Sequence, residues 1–131
     1  MEVAEPNTHL EIDRELCGEP VEIGESRAVV QLKAGERMAV DEHGLIHGGF
    51  VFGLADHAAM LAVNHPNVVL ASADASFDAP STVGDILKAT ARVRNREGSK
   101  FEIVATVTDG TTEVFEGTFT AFVPDRHVLE E

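Results

Sequence analysis

One stretch, HGGFVFGLADHAAMLAVN from His47 to Asn64, restricts the possible folds of this chain more than any other. From Phe50 to Val63 it is almost wholly apolar, and only Asp56 and His57 interrupt it. An apolar run of this length without an amphipathic period predicts a helix buried on every side. It is too short for a membrane span, which needs about 20 apolar residues, and an Asp at its middle would be costly in lipid. Gly48-Gly49 marks the start and Asn64-His65-Pro66 the stop. Proline disfavours helical geometry in the residue before it, and Asn tolerates the left-handed cap position. Such a helix is about 24 Å long. A carboxylate in its middle requires an explanation.

The remaining composition narrows the classes of function. A chain of 131 residues, 44% hydrophobic and 25% charged, suits one domain spanning 1–131, with 1–19 and 125–131 as peripheral segments. The net charge of −13, from 23 acids against 10 bases, argues against nucleic acid as a partner, because a phosphate backbone needs clustered cations. One cysteine, Cys17, cannot form an internal disulfide and lies in no basic setting that would activate a thiolate. MEVAEPNTH has neither a basic n-region nor an apolar h-region. The expected location is therefore cytoplasmic, with no membrane partner.

The flanking segments read as strands. Residues 1–19, broken by Pro6 and Gly18 and followed by Pro20, suit a short helix or irregular segment. Glu19 to Lys33 carries a strand signal, with Ala28, Val30 and Leu32 alternating with Val29, Gln31 and Lys33 after a turn or bulge at Gly24. Ala34 to Ile46 is a loop bearing Asp41, Glu42 and His43. After Pro66 the period becomes two: Val69, Ala71, Ala73, Ala75 and Phe77 on one face, then Leu87 to Val93, Phe101 to Val107 and Phe115 to Val123. Asp109-Gly110 is a strong hairpin turn. The predicted order is strand, buried helix, then four strands joined by short turns. An antiparallel sheet with one apolar face must cover something, and the helix is the available candidate.

This α+β arrangement, a curled antiparallel sheet wrapped around one long central helix, is that of the hotdog fold. His47-Gly48-Gly49, Leu54-Ala55-Asp56 and Asn64 resemble the HGG…LAD…N signature of hotdog acyl-CoA thioesterases, most closely the phenylacetate-pathway subfamily. Phe77-Asp78-Ala79-Pro80 and Gly84-Asp85 are similar to the F-x-x-P…G-D segment that follows it. The similarity runs from about Asp41 to Val123. The HFPG and N-P-x-H motifs of hotdog dehydratases and hydratases are absent. The resemblance implies hydrolysis of a small or medium acyl-CoA, aliphatic or aryl, with no cofactor and no metal. Asp56 matches the acid that acts as general base or nucleophile, and Gly48 the glycine whose amide polarises the thioester carbonyl. The two come from different subunits of a dimer or tetramer. Asp41 stands where relatives commonly carry Asn or Gln, so it is either a second acid-base group or a residue that holds the loop. His47, Gly49 and Asn64 belong to the same signature, His47 beside the catalytic pair and Gly49 and Asn64 as substrate contacts.

Residue chemistry supports part of this independently. Helix-start amides lack intrahelical partners and lie at the positive end of the dipole, and glycine lets a substrate approach them. Phe52, Gly53, Ala59 and Met60 share the face of Asp56 at three- and four-residue spacing and should raise its pKa by desolvation. Chemistry alone leaves Asp56 equally readable as a structural acid bonded to backbone. His47 reads either as a ligand or base or as a cap of the loop, and His57 as a satisfied helix or interface histidine. Glycines at 44, 48 and 49 and the lack of thiolate ligands argue against metal at His43, His47, His57 and His65. Arg92, Arg94 and Arg96 line up with Lys88 on one expected strand face, which is either solvated or a docking site for the phosphates of coenzyme A. A non-catalytic acyl-CoA-binding or sensing module is the alternative to an enzyme.

Overall fold

The computed structural model describes residues 4–130; residues 1–3 and 131, in the expected peripheral segments, lie outside the described residues. A short helix α1 (Arg14–Cys17) is followed by strands β1 (Glu19–Gly24) and β2 (Arg27–Lys33), the long helix α2 (Gly48–Val63), and strands β3 (Val69–Phe77), β4 (Ile86–Glu97), β5 (Lys100–Thr108) and β6 (Glu113–Phe122). All pairings are antiparallel, in the order β1-β2-β4-β5-β6-β3. This is the expected hotdog architecture, with α2 lying in the curl of the sheet.

Small side chains bring helix and sheet together. Ala28, Ala89, Ala91 and Ala105 on the sheet meet a helix carrying Ala55, Ala58, Ala59 and Ala62, and all are buried. Leu32, Leu54, Met60, Leu61, Leu87, Ile103, Phe115 and Phe119 fill the space around them. Each fully buried large side chain contributes about 1.5–3 kcal/mol. Helix α2 ends where expected: Asn64 adopts the left-handed conformation (φ 52°, ψ 43°), and its amide bonds Met60 O at 2.8 Å.

Four expectations need correction. The segment Glu19 to Lys33 is a hairpin of two strands, turned by Glu25 and Ser26, with Ser26 at φ 59°. Strand β3 does not pair with β4; it lies at the sheet edge beside β6. A register shift between Leu70 and Ser72 takes Val69 off the face shared by Leu70, Ala73, Ala75 and Phe77. The helix is not buried on every side, because Gly49 is exposed and Phe50, Phe52, Gly53, Asp56 and Val63 are only partly covered. Helix α2 packs chiefly on β2, β4 and β5 and touches β3 little, so one stripe of the helix and the inner face of β3 stay open.

The β3–β4 connection is therefore a crossover rather than a turn, and it frames the helix start. Ile46 N donates to Ser81 O (2.9 Å), Val83 N to Gly44 O (2.9 Å), and Gly84 N to Ala34 O (2.8 Å). Asp85 closes the loop by accepting from Thr82 N at 2.9 Å. The segment that carries the F-x-x-P…G-D residues thus pins the loop 34–46, which leads into α2.

Candidate active site

Gly48 is the first residue of α2, and its amide is one of the first-turn donors that no intrahelical carbonyl can satisfy. His47 precedes it at the N-cap, held by donation of its amide to Met38 O at 2.9 Å. Its imidazole makes no capping bond; the ring stands edge-on to Phe50 at 6.0 Å. His47 thus stands at the helix cap through its backbone. A Cβ on Gly49 would come within 3.1 Å of His47 Nε2, so glycine here gives the ring its room.

Asp56 lies two turns into the helix on the open stripe with Gly49, Phe52 and Gly53. Its Oδ1 is inaccessible and has no hydrogen-bond partner among the described residues. The reading of Asp56 as a structural acid bonded to backbone finds no support in that geometry. Burial pushes its carboxyl up to about 6. Cys17 is near enough for Asp56 to act on it: burial raises the thiol pKa, and Asp13 and then Asp56 add to the rise. Cys17 is therefore held as a neutral thiol.

The neighbouring histidine has a different task. His57 is 1% exposed, stacks on His9 at 6.1 Å, and its Nδ1 lies 3.1 Å from Cys17 O. Burial holds the pKa values of both His9 and His57 below the ordinary value. The pair fastens residues 8–17 across the back of α2. Sequence reading missed His9, and no local motif marks it.

Asp41 is exposed, and its Oδ1 accepts from His43 N (3.0 Å) and Leu45 N (3.2 Å), the geometry of a residue that shapes the loop. Asn64 stands at the opposite end of the helix from Gly48. Its Oδ1 accepts from Asn7 N at 2.7 Å and its Nδ2 donates to Glu5 O at 3.1 Å, so its side chain is engaged in tying down the N-terminal segment. The arginine stripe is also corrected. A register shift between Val93 and Asn95 turns Arg96 to the face of Phe101, where its guanidinium lies 4.7 Å from the ring centroid and Nε donates to Gly98 O. Arg94 is paired with Glu102 at 2.9 Å, and Lys88 and Arg92 are exposed on the outer face of β4. Among the described residues no group of three His, Cys, Asp or Glu side chains is placed to hold a metal ion. No helix among them is long and apolar enough to cross a membrane.

A helix start offering free amides, a buried acid on the same helix and a six-stranded wrap define the class. The sequence profile of the thioesterase superfamily matches residues 43–116, and the chain belongs to that superfamily. An uncharacterized protein of Pyrococcus horikoshii has the same fold, with a TM-score of 0.97 and 45% identity over 99% of this chain and 100% of its own. The PaaI protein of the Escherichia coli phenylacetic acid degradation operon has a TM-score of 0.80 and 25% identity, over 89% of this chain and 88% of its own. A curated relative from Aquifex aeolicus, methylthioribose-1-phosphate isomerase, is 50% identical over 119 residues, 90% of this chain. The chain spans only 26% of that relative's length.

Proposed function

We propose that this protein is an acyl-CoA thioesterase that hydrolyses a small or medium acyl-CoA to the free acid and coenzyme A, and that it works as a homo-oligomer. The observation that carries the reading is Asp56, a largely buried carboxylate without a hydrogen-bonding partner for Oδ1, on the open stripe of the helix whose start offers the Gly48 amide. The thioester carbonyl accepts from Gly48 N–H. Water attacks the carbonyl carbon as Asp56 takes its proton, the C–S bond breaks, and that proton passes to the departing thiolate. In the other route Asp56 attacks first, expels the thiolate and forms a mixed anhydride that water then opens. Gly48 and Asp56 are eight residues apart on one helix, about 12 Å along the axis. A single carbonyl cannot touch both, since an oxyanion donor must lie within about 3 Å. A second copy supplies the missing half. The open stripe of α2 and the exposed Ala73, Ala75 and Phe77 of edge strand β3 form the surface suited to it.

Thiol release from a panel of acyl-CoAs tests the reading. Asp56→Asn should lose about 10²–10⁴ in kcat while still binding acyl-CoA, and Asp41→Asn should be tolerated. Loss of turnover in Asp41→Asn with retention in Asp56→Asn would move the base to the loop.

A second reading has one observation in its favour. In the Aquifex protein the matching region is part of a much longer chain whose name describes an isomerisation. We read the joining of this region to a longer chain as compatible with an acyl-CoA-binding or sensing role. Binding of acyl-CoA by the wild-type protein without thiol release would favour it.

A further inference from the structure

At the C-terminal end of α2, about 20 Å along the axis from Gly48, lies a half-open cavity of about 790 Å³. Its size is that of a small-molecule site. Neither Gly48 nor Asp56 borders it. Val63 of α2, Val93 of β4 and Val123 beyond β6 stand half-buried on its walls, with Phe101 of β5 beside them. That surface is apolar and partly open to water, so a hydrocarbon laid over it would be held by burial.

Arg96 gives the cavity its charge. The register shift in β4 brings the guanidinium carbon to 4.7 Å from the centroid of the Phe101 ring, and Nε donates to Gly98 O at 3.0 Å. Among the described residues the terminal amino groups have no hydrogen-bond partner, and Arg96 forms no ion pair. In a chain of net charge −13, such a guanidinium is free to take an anion from outside. His65 also lines the cavity; its Nδ1 accepts from Asn67 N at 3.0 Å, which puts the ring proton on Nε2 and makes it a second donor. Glu25, on the β1–β2 turn, borders the same space and limits the charge that it tolerates. A lone guanidinium facing a carboxylate suits a monoanion better than a phosphate dianion.

We propose that this cavity binds a small monocarboxylic acid, with its carboxylate on Arg96 and its hydrocarbon body over Val63, Val93, Phe101 and Val123. Arginine takes a carboxylate through two parallel N–H bonds, and the valines supply the apolar contact. The acid released by the hydrolysis proposed above is of this class, so on that reading product is also held away from the reacting groups.

The test is calorimetric titration of hexanoate, acetate, hexanamide and hexyl phosphate into the wild type, Arg96→Gln and Val123→Trp. Hexanoate should bind the wild type, and acetate and hexanamide at least about tenfold more weakly, for want of hydrocarbon and of charge respectively. Hexyl phosphate should bind no more tightly than hexanoate. Arg96→Gln, at an exposed position, should weaken hexanoate at least about tenfold, and Val123→Trp should fill the cavity and block it. Saturating free coenzyme A should leave the Arg96-dependent binding in place. Absence of hexanoate binding, equal binding by wild type and Arg96→Gln, or equal binding of hexanoate and hexanamide would overturn the proposal. So would a preference for hexyl phosphate, or displacement by coenzyme A, which would make the cavity part of the substrate site. Arg96-dependent binding of hexanoate by a protein that releases no thiol from any acyl-CoA would support the proposal and overturn the thioesterase reading alone.

Discussion

A carboxyl that burial pushes up to about 6 changes charge within the range where a general base is useful. Turnover limited by the basic form of Asp56 should rise with pH through about 6 and level off above it. The same shift has a stability cost of known sign. The folded state holds the proton more tightly than the unfolded chain, so the stabilisation is complete below the ordinary value of 3.8 and is lost as pH rises through about 6. Asp56→Asn should therefore be more stable than wild type at pH above that value, by about 2–3 kcal/mol, and the advantage should shrink as pH falls from about 6 and vanish below 3.8. Urea unfolding at a series of pH values checks it; equal stability throughout would mean the carboxylate is better solvated than its burial implies. Gly18 is a purely structural counterpart. At φ 101° a Cβ there would lie 2.6 Å from Val30 Cγ1 and 2.8 Å from Leu54 Cδ1, both in the packed core. Gly18→Ala should cost about 2–4 kcal/mol, combining overpacking with left-handed strain, and a thermal melt measures it.

At the scale of elements, the clamp of the N-terminal segment on α2 should respond to acid. His9 and His57 both titrate below the ordinary histidine value because they are buried. A depressed base gives stability present above the unfolded pKa and lost as pH falls through the folded one. Hydrogen exchange of the amides in residues 8–17 should thus speed up, relative to the sheet, as pH drops below about 6.5. Exchange that keeps step with the sheet would show that the histidines do not hold the segment. These elements differ in how visible they are in sequence. The helix follows from the length of its apolar run between Gly48 and Asn64, and β4, β5 and β6 follow from their alternation, because one face of each strand packs on the helix. The β1–β2 turn is hidden because Ser26, not glycine, takes the positive φ. The edge place of β3 is invisible because strand order depends on which surfaces meet, not on chain order. A register shift in β4 is equally silent, and it breaks an apparent row of arginines. At the candidate site, Gly48 and Asp56 stand out by motif, whereas His9 becomes notable only once its stack on His57 is seen.

At the scale of the whole molecule, the open stripe of α2 and the exposed inner face of β3 predict self-association. Phe77, 55% exposed at the end of edge strand β3, is a large apolar side chain in that surface. Sedimentation at micromolar concentration should show at least a dimer, and a fully active monomer would contradict the account. The central claim, that each site joins Gly48 of one copy to Asp56 of another, is tested most directly by mixing two inactive variants. Gly48→Pro deletes the amide donor at a helix position that tolerates proline. His47 already has the extended geometry (φ −61°, ψ 128°) that a following proline requires. Asp56→Asn deletes the base. Each variant alone should release almost no thiol. Refolded together, half of the dimers are mixed and each mixed dimer holds one intact site, so about a quarter of wild-type activity should return. A mixture as inactive as its components would place both groups in one subunit's site and contradict the claim.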